Sequence, residues 1–278
     1  MNKDAASSTA VGAAMLRAAH QVIDGEYKLL DDPIILKLIG EDAVAHICER
    51  RNDFYFPGIL AMRTHIVLRS RYAEDCLKDA YDAGVDQFLI LGAGMDTFAY
   101  RQPEWANGLM IVEADHPASQ VNKLEHLTDA GIAIPENVSF VKVDLEQDAL
   151  AEIFKNSKLN LNKPVFVACL GVLVYLTKDA IAKIFKFVGG LPKGTEFVFT
   201  ASQKRTGPWS AKVAERVAKA GEPWISHFDF DEMEKQLKKS GFSQVIFVSP
   251  AESKKRYFTG AKLRIPPPQR CSLVRVIV

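Results

Sequence analysis

The sequence predicts an α/β protein built on a largely parallel sheet of seven strands with helices on both faces. Three observations carry this. Seven short apolar runs follow one another from Val85 to the C-terminus, and helical segments separate most of them. The runs are apolar throughout instead of alternating with polar residues, the pattern of strands covered on both sides. The residues before Val85 show helical spacing and no strand pattern.

Taken in chain order, residues 1–84 are expected to form a helical cap, and 85–278 the sheet domain. The clearest periodicity lies in 59-ILAMRTHIVLRSRYAEDCLKDAYDAG-84, closed by Gly84 as a C-terminal cap. Asp31-Asp32-Pro33 has the aspartate cap and first-turn proline of another helix start. Strands are expected at 86–91, 109–114, 138–143, 164–170, 195–200, 244–249 and 271–278, with helices at 117–131, 177–190 and 231–242, the last ending at Gly241. Between the final two strands lies only a loop, 250–270, so those strands are expected to pair antiparallel at one edge.

Composition narrows the function. A net charge of +1 gives no electrostatic reason to expect nucleic acid or an acidic membrane as partner. No run reaches the roughly 20 apolar residues that span a bilayer, and Arg17 with His20 interrupts the N-terminal apolar stretch, so the chain is expected in the cytoplasm. The four cysteines (Cys48, Cys76, Cys169 and Cys271) are scattered and read as buried thiols in a reducing compartment. The six histidines show no metal-ligand spacing.

The informative stretch is 85-VDQFLILGAGMDTFAYR-101. Gly92 and Gly94 follow the first strand, where ligands of open parallel sheets bind and where a Cβ would block a close approach. Thr97 stands where a dinucleotide site has its third glycine. That disfavours an NAD-dependent oxidoreductase and favours a nucleoside without phosphates, S-adenosylmethionine above all. Glu113 and Asp115 close the second strand, Asp115 lying 21 positions after Gly94, and a carboxylate there can accept two hydrogen bonds from a ribose diol. Asp144-Leu145 repeats the arrangement after the third strand and suits an adenine edge and face.

These residues, with 9-TAVGAAMLRAAH-20, 31-DDP-33, 69-RSRYAED-75, 111-IVEADHPASQVNK-123 and 171-GVLVYLT-177, resemble the leucine carboxyl methyltransferase family, particularly its bacterial branch of small O-methyltransferases, among them polyketide carboxyl methyltransferases. The resemblance implies a class I, Rossmann-like methyltransferase sheet beneath a helical cap, with S-adenosylmethionine as cofactor. It implies Gly92 and Asp115 at the cofactor's tail and ribose, Asp144 and Leu145 at its adenine, and Arg69, then Arg17, at its carboxylate. Leu170 stands where the family usually has glutamate. Asp96 is a candidate to compensate, and a non-catalytic S-adenosylmethionine-binding protein is the alternative reading.

Methyl transfer is chiefly a matter of positioning, which can supply about 7–11 kcal/mol. A carboxylic acid acceptor, with a pKa near ~4, needs no general base, whereas a hydroxyl acceptor such as a phenol would benefit from one. The acceptor, a small molecule, is expected between the cap and the segment after the fifth strand. Candidates there are Tyr175, Arg205, Trp209, Trp224, His227 and Phe228.

Overall fold

The structure is a computed structural model that describes residues 8–203, 215, 224–260, 262–270 and 272–278. Four helices come first: α1 (Ser8–Ile23), α2 (Pro33–Ile39), α3 (Glu41–Glu49) and α4 (Pro57–Asp82). The sheet domain follows as β1 (Gln87–Leu91), β2 (Met110–Asp115), α5 (Pro117–Asp129), β3 (Val138–Lys142), α6 (Leu150–Lys155), β4 (Phe166–Cys169), α7 (Lys178–Gly189) and β5 (Glu196–Thr200). It ends with α8 (Phe230–Lys239), β6 (Gln244–Phe247), α9 (Pro250–Ser253) and β7 (Leu273–Ile277).

The seven strands form one sheet in the order β3-β2-β1-β4-β5-β7-β6. The first five pair in parallel, β7 lies antiparallel to β5, and β6 pairs antiparallel with β7. The last two strands do pair antiparallel, with β7 inserted so that β6 takes the edge. Their connection is not simply a loop. Ser249 and Glu252 form a capping box that starts α9, and a π-helical turn, Lys254–Phe258, continues it.

Local chemistry sets the helix ends. The Asp32 side chain accepts the Ile35 N–H and Pro33 occupies the first turn of α2. Gly84 and Gly241 follow α4 and α8 at φ of +97° and +110°, a conformation that favours residues without a Cβ.

Every residue of β1 and β5 is buried. On one face of the sheet Phe185 from α7 packs on Phe197 and Phe199 from β5, all three fully buried. Truncating such side chains costs about 3–5 kcal/mol each. On the other face α4 supplies Val67, Leu68, Cys76 and Leu77 to a core shared with Phe88, Ile90 and Phe166. The last helix before residue 85 thus packs directly on the sheet. A third cluster joins α1, α2 and α3 through Ala14, Ala18, Ile35 and Ile47 to Met95 of the glycine loop and Leu127 of α5. The cap thus rests on the carboxyl end of β1. One thiol departs from expectation: Cys48 is exposed, because α3 buries only Ile47. Cys271 lies outside the described residues.

Candidate active site

A cavity of about 1160 Å³ opens between the cap and the carboxyl ends of β1, β2 and β4. Arg17, Arg69, Gly92, Gly94, Asp96, Asp115, Asp144, Leu145, Leu170, Tyr175, Trp224 and His227 all line it. Residues spread from position 17 to 227 therefore meet in one space.

The glycine loop owes its shape to its neighbours. Gly92 and Gly94 have φ of +69° and +46°. A Cβ on Gly92 would lie 2.4 Å from Val172 Cγ2, and one on Gly94 would lie 3.2 Å from Ala10 Cβ of α1. The glycines thus admit protein packing as well as the close approach expected of a ligand. The Gly94 N–H donates to one oxygen of Asp115, and the His116 N–H donates to the other at 2.7 Å. Burial pushes the Asp115 carboxyl above its ordinary value, and these two bonds oppose the shift. Each oxygen keeps a free lone pair.

Arg69 projects from α4 onto Gly171, whose own Cβ would lie 2.5 Å from the guanidinium, so this glycine at φ +80° makes the room. Among the described residues no carboxylate lies within ion-pair distance of Arg69. Burial without a partner draws its pKa down to about 10, while Tyr175 and Asp96 pull it back up. Arg17 is partly engaged: its Nη2 donates to the Met95 carbonyl at 2.6 Å, and its Nε lies 3.2 Å from Asp32 in an ion pair without a hydrogen bond.

Asp144 accepts the Glu146 N–H at 3.0 Å and the Gln147 side-chain amide at 2.6 Å, a turn that presents Leu145 to the cavity. Asp96 accepts the Phe98 N–H at 2.9 Å, just before the 3₁₀ turn Phe98–Tyr100. The Trp224 indole N–H donates to the Tyr175 hydroxyl at 3.3 Å. Phe228 packs against the hydrophobic core instead of lining the cavity. Arg205 and Trp209 lie outside the described residues.

Glu113 does not reach the cavity. Although it shares a strand face with Asp115 two residues on, it sits deeper, almost completely buried. Lys123 donates to it at 2.6 Å and the Tyr100 hydroxyl at 3.2 Å. Both bonds go to Oε2, and Oε1 has no hydrogen-bond partner among the described residues, but Glu113 does not line the cavity, so its place as a cofactor residue is corrected to that of a buried ion-pair partner of Lys123.

Sequence reasoning missed the clamp behind the loop. Thr97 Oγ1 donates to Asp32 at 2.8 Å and accepts the Arg101 Nε–H at 3.1 Å. Arg101 Nε also lies 3.3 Å from Asp32, and its two terminal nitrogens grip Glu74 of α4. The residue that replaces the third glycine ties the loop to the cap. The signal was present, since Asp32, Glu74, Thr97 and Arg101 all fall within the stretches that carry the family resemblance.

Comparisons with known proteins show the family and the fold. The sequence model of the leucine carboxyl methyltransferase family matches residues 10–189. YktD of Bacillus subtilis (strain 168), provisionally named an S-adenosyl-L-methionine-dependent methyltransferase, is 30% identical over 94% of both chains. A similarly named protein of Mycolicibacterium paratuberculosis is 29% identical over 79% of this chain and 72% of its own. Among solved structures, a DUF574 family protein from Streptomyces avermitilis shares the fold over 99% of this chain and 98% of its own, with a TM-score of 0.55 at 17% identity. The chain belongs to the leucine carboxyl methyltransferase family and is an S-adenosylmethionine-dependent methyltransferase.

Proposed function

We propose that the chain esterifies the carboxylate of a small organic acid. The carrying observation is the pairing, in one cavity, of a carboxylate fixed to the glycine loop with a guanidinium that has no carboxylate within ion-pair distance among the described residues. Those two groups suit a nucleoside with a ribose diol at one end and an amino-acid carboxylate at the other. When bound, S-adenosylmethionine supplies a methyl carbon activated by its sulfonium, which an acceptor oxygen takes while the electrons of the broken C–S bond stay on sulfur.

The chain's own residues hold and orient. Asp115 has lone pairs left for the ribose hydroxyls. Arg69 is placed for the tail carboxylate through parallel hydrogen bonds, with Arg17 as the cation behind it. Gly92, Gly94 and Asp96 shape the loop, Asp144 and Leu145 frame the adenine end, and Leu170 offers an apolar wall. Tyr175, Trp224 and His227 border the acceptor side of the cavity. A carboxylate acceptor is ionised at neutral pH and requires only alignment.

The test uses S-adenosylmethionine labelled in the methyl group, incubated with the protein and a cell extract. An ester releases its label as volatile methanol on mild alkaline treatment. A base-stable product would move the acceptor to a hydroxyl, and no labelled product would overturn the proposal.

A further inference from the structure

The cavity is larger than one ligand needs, and part of its wall is an apolar stripe. Its volume of about 1160 Å³ exceeds the roughly 300–1,000 Å³ of an ordinary single-ligand pocket. Part of its wall is made by Leu16, Ile59, Met62, Ile66, Val174 and Ile225. Among the described residues, none of these six belongs to any of the three hydrophobic clusters of the fold. Apolar side chains normally sit inside such clusters because burial is what stabilises them. Here they are gathered around a space instead.

Three of them share a face of α4. Ile59, Met62 and Ile66 stand at i, i+3 and i+7, and the same face continues to Arg69. At 1.5 Å per residue the stripe from Ile59 to Ile66 covers about 10 Å, with His65 lining the cavity beside it and Arg69 at its end. Ile66 is already covered, at 5% exposure, whereas Ile59 and Met62 are half-buried and line the same cavity.

We propose that the acceptor is a carboxylic acid with an extended hydrocarbon body seated along Ile59, Met62 and Ile66, and that Met62, midway along the stripe, determines specificity. This rests on the carboxyl methyltransferase reading above. The hydrocarbon lies toward the N-terminal end of α4, and the carboxylate points to the sheet. A short acid would leave the stripe wet, and a dicarboxylate would place its second charge against it.

The experiment titrates straight-chain monocarboxylates, from butyrate to dodecanoate, into the full chain by calorimetry, with and without S-adenosylhomocysteine. Affinity is expected to rise about fourfold per methylene, the equivalent of about 0.8 kcal/mol, until the stripe is filled. Met62→Gln, close to methionine in shape, should flatten that rise and weaken decanoate about tenfold. Met62→Leu should keep it, and neither variant should alter S-adenosylhomocysteine affinity or the melting temperature. Equal affinity for butyrate and decanoate, binding of neither, or a rise untouched by both Met62→Gln and Ile66→Asn would overturn the proposal. The cofactor titration separates the two readings: lost S-adenosylhomocysteine binding counts against the methyltransferase site, while intact binding beside chain-length-blind acids counts against the stripe alone.

Discussion

The Thr97 hydroxyl donates to the Asp32 carboxylate at 2.8 Å, joining residues 65 positions apart. Asp32 is completely buried, and it also caps α2 and faces Arg17 and Arg101. Asp32→Ala would leave two guanidinium groups short of their counter-charge. Breaking a buried pair in this way costs about 3–5 kcal/mol. The urea midpoint should fall accordingly while the slope of the transition stays unchanged. Thr97→Gly restores the dinucleotide spacing yet loosens the same clamp, so it should lower stability without conferring nicotinamide binding.

Arg69 is assigned to the tail of the cofactor, and two ligands isolate that contact. 5′-Methylthioadenosine keeps the nucleoside and lacks the amino-acid tail. Arg69→Ala should weaken S-adenosylmethionine by about 10- to 100-fold, or about 1.4–2.7 kcal/mol, and leave 5′-methylthioadenosine nearly unchanged in calorimetric titration. Equal losses for both ligands would place Arg69 elsewhere.

Leu170 presents an apolar side chain to the cavity at the position where the family resemblance implies a glutamate. Wild-type protein should already transfer methyl groups, and Leu170→Glu should tighten S-adenosylmethionine binding by up to about tenfold while product still forms. Tighter binding with product from neither protein would mark the chain as a binder without catalysis.

A second buried network gives the cap an acid-sensitive joint. Arg63 grips both oxygens of Asp24 at 2.8 Å, and His20 Nδ1 lies 2.9 Å from one of them. The Leu29 N–H donates to His20 Nε2 at 3.1 Å, which leaves Nδ1 as the donor to Asp24. Burial alone would raise the Asp24 pKa, but the hydrogen bonds from His20 and Arg63 outweigh it and hold the carboxyl below its ordinary 3.8. A depressed pKa means that the unfolded chain takes up the proton first as pH falls. The stabilisation is therefore complete above about pH 4–5 and drains away as pH drops through the lowered value. Asp24→Asn should cost about 3–5 kcal/mol at neutral pH, and its gap from wild type should narrow below about pH 4 in denaturant titrations.

The sheet was legible because its strands are short apolar runs punctuated by helix signals. Asp32-Pro33, Gly84 and Gly241 marked their helix ends through local backbone chemistry that needs no tertiary partner. The cavity wall was legible for a similar reason: Gly92, Gly94, Asp115 and Asp144 sit at strand ends, and strand ends converge in this topology. Glu113 misled because a strand face tells which way a side chain points but not how deep it lies. The Asp32–Thr97–Arg101–Glu74 clamp stayed hidden because its members lie on separate elements and each looks like an ordinary polar residue alone. The short helices α6 and α9 fell below the length at which periodicity is readable.

The central claim is that Asp115, fixed to Gly94, grips the ribose of S-adenosylmethionine in the cavity beneath the cap. Calorimetric titration of S-adenosylmethionine into wild-type and Asp115→Ala protein, each checked for an unchanged melting temperature, tests it most directly. The account predicts saturable one-to-one binding by the wild type and a loss of about 100-fold or more in the variant. Equal affinity in the two proteins would contradict it.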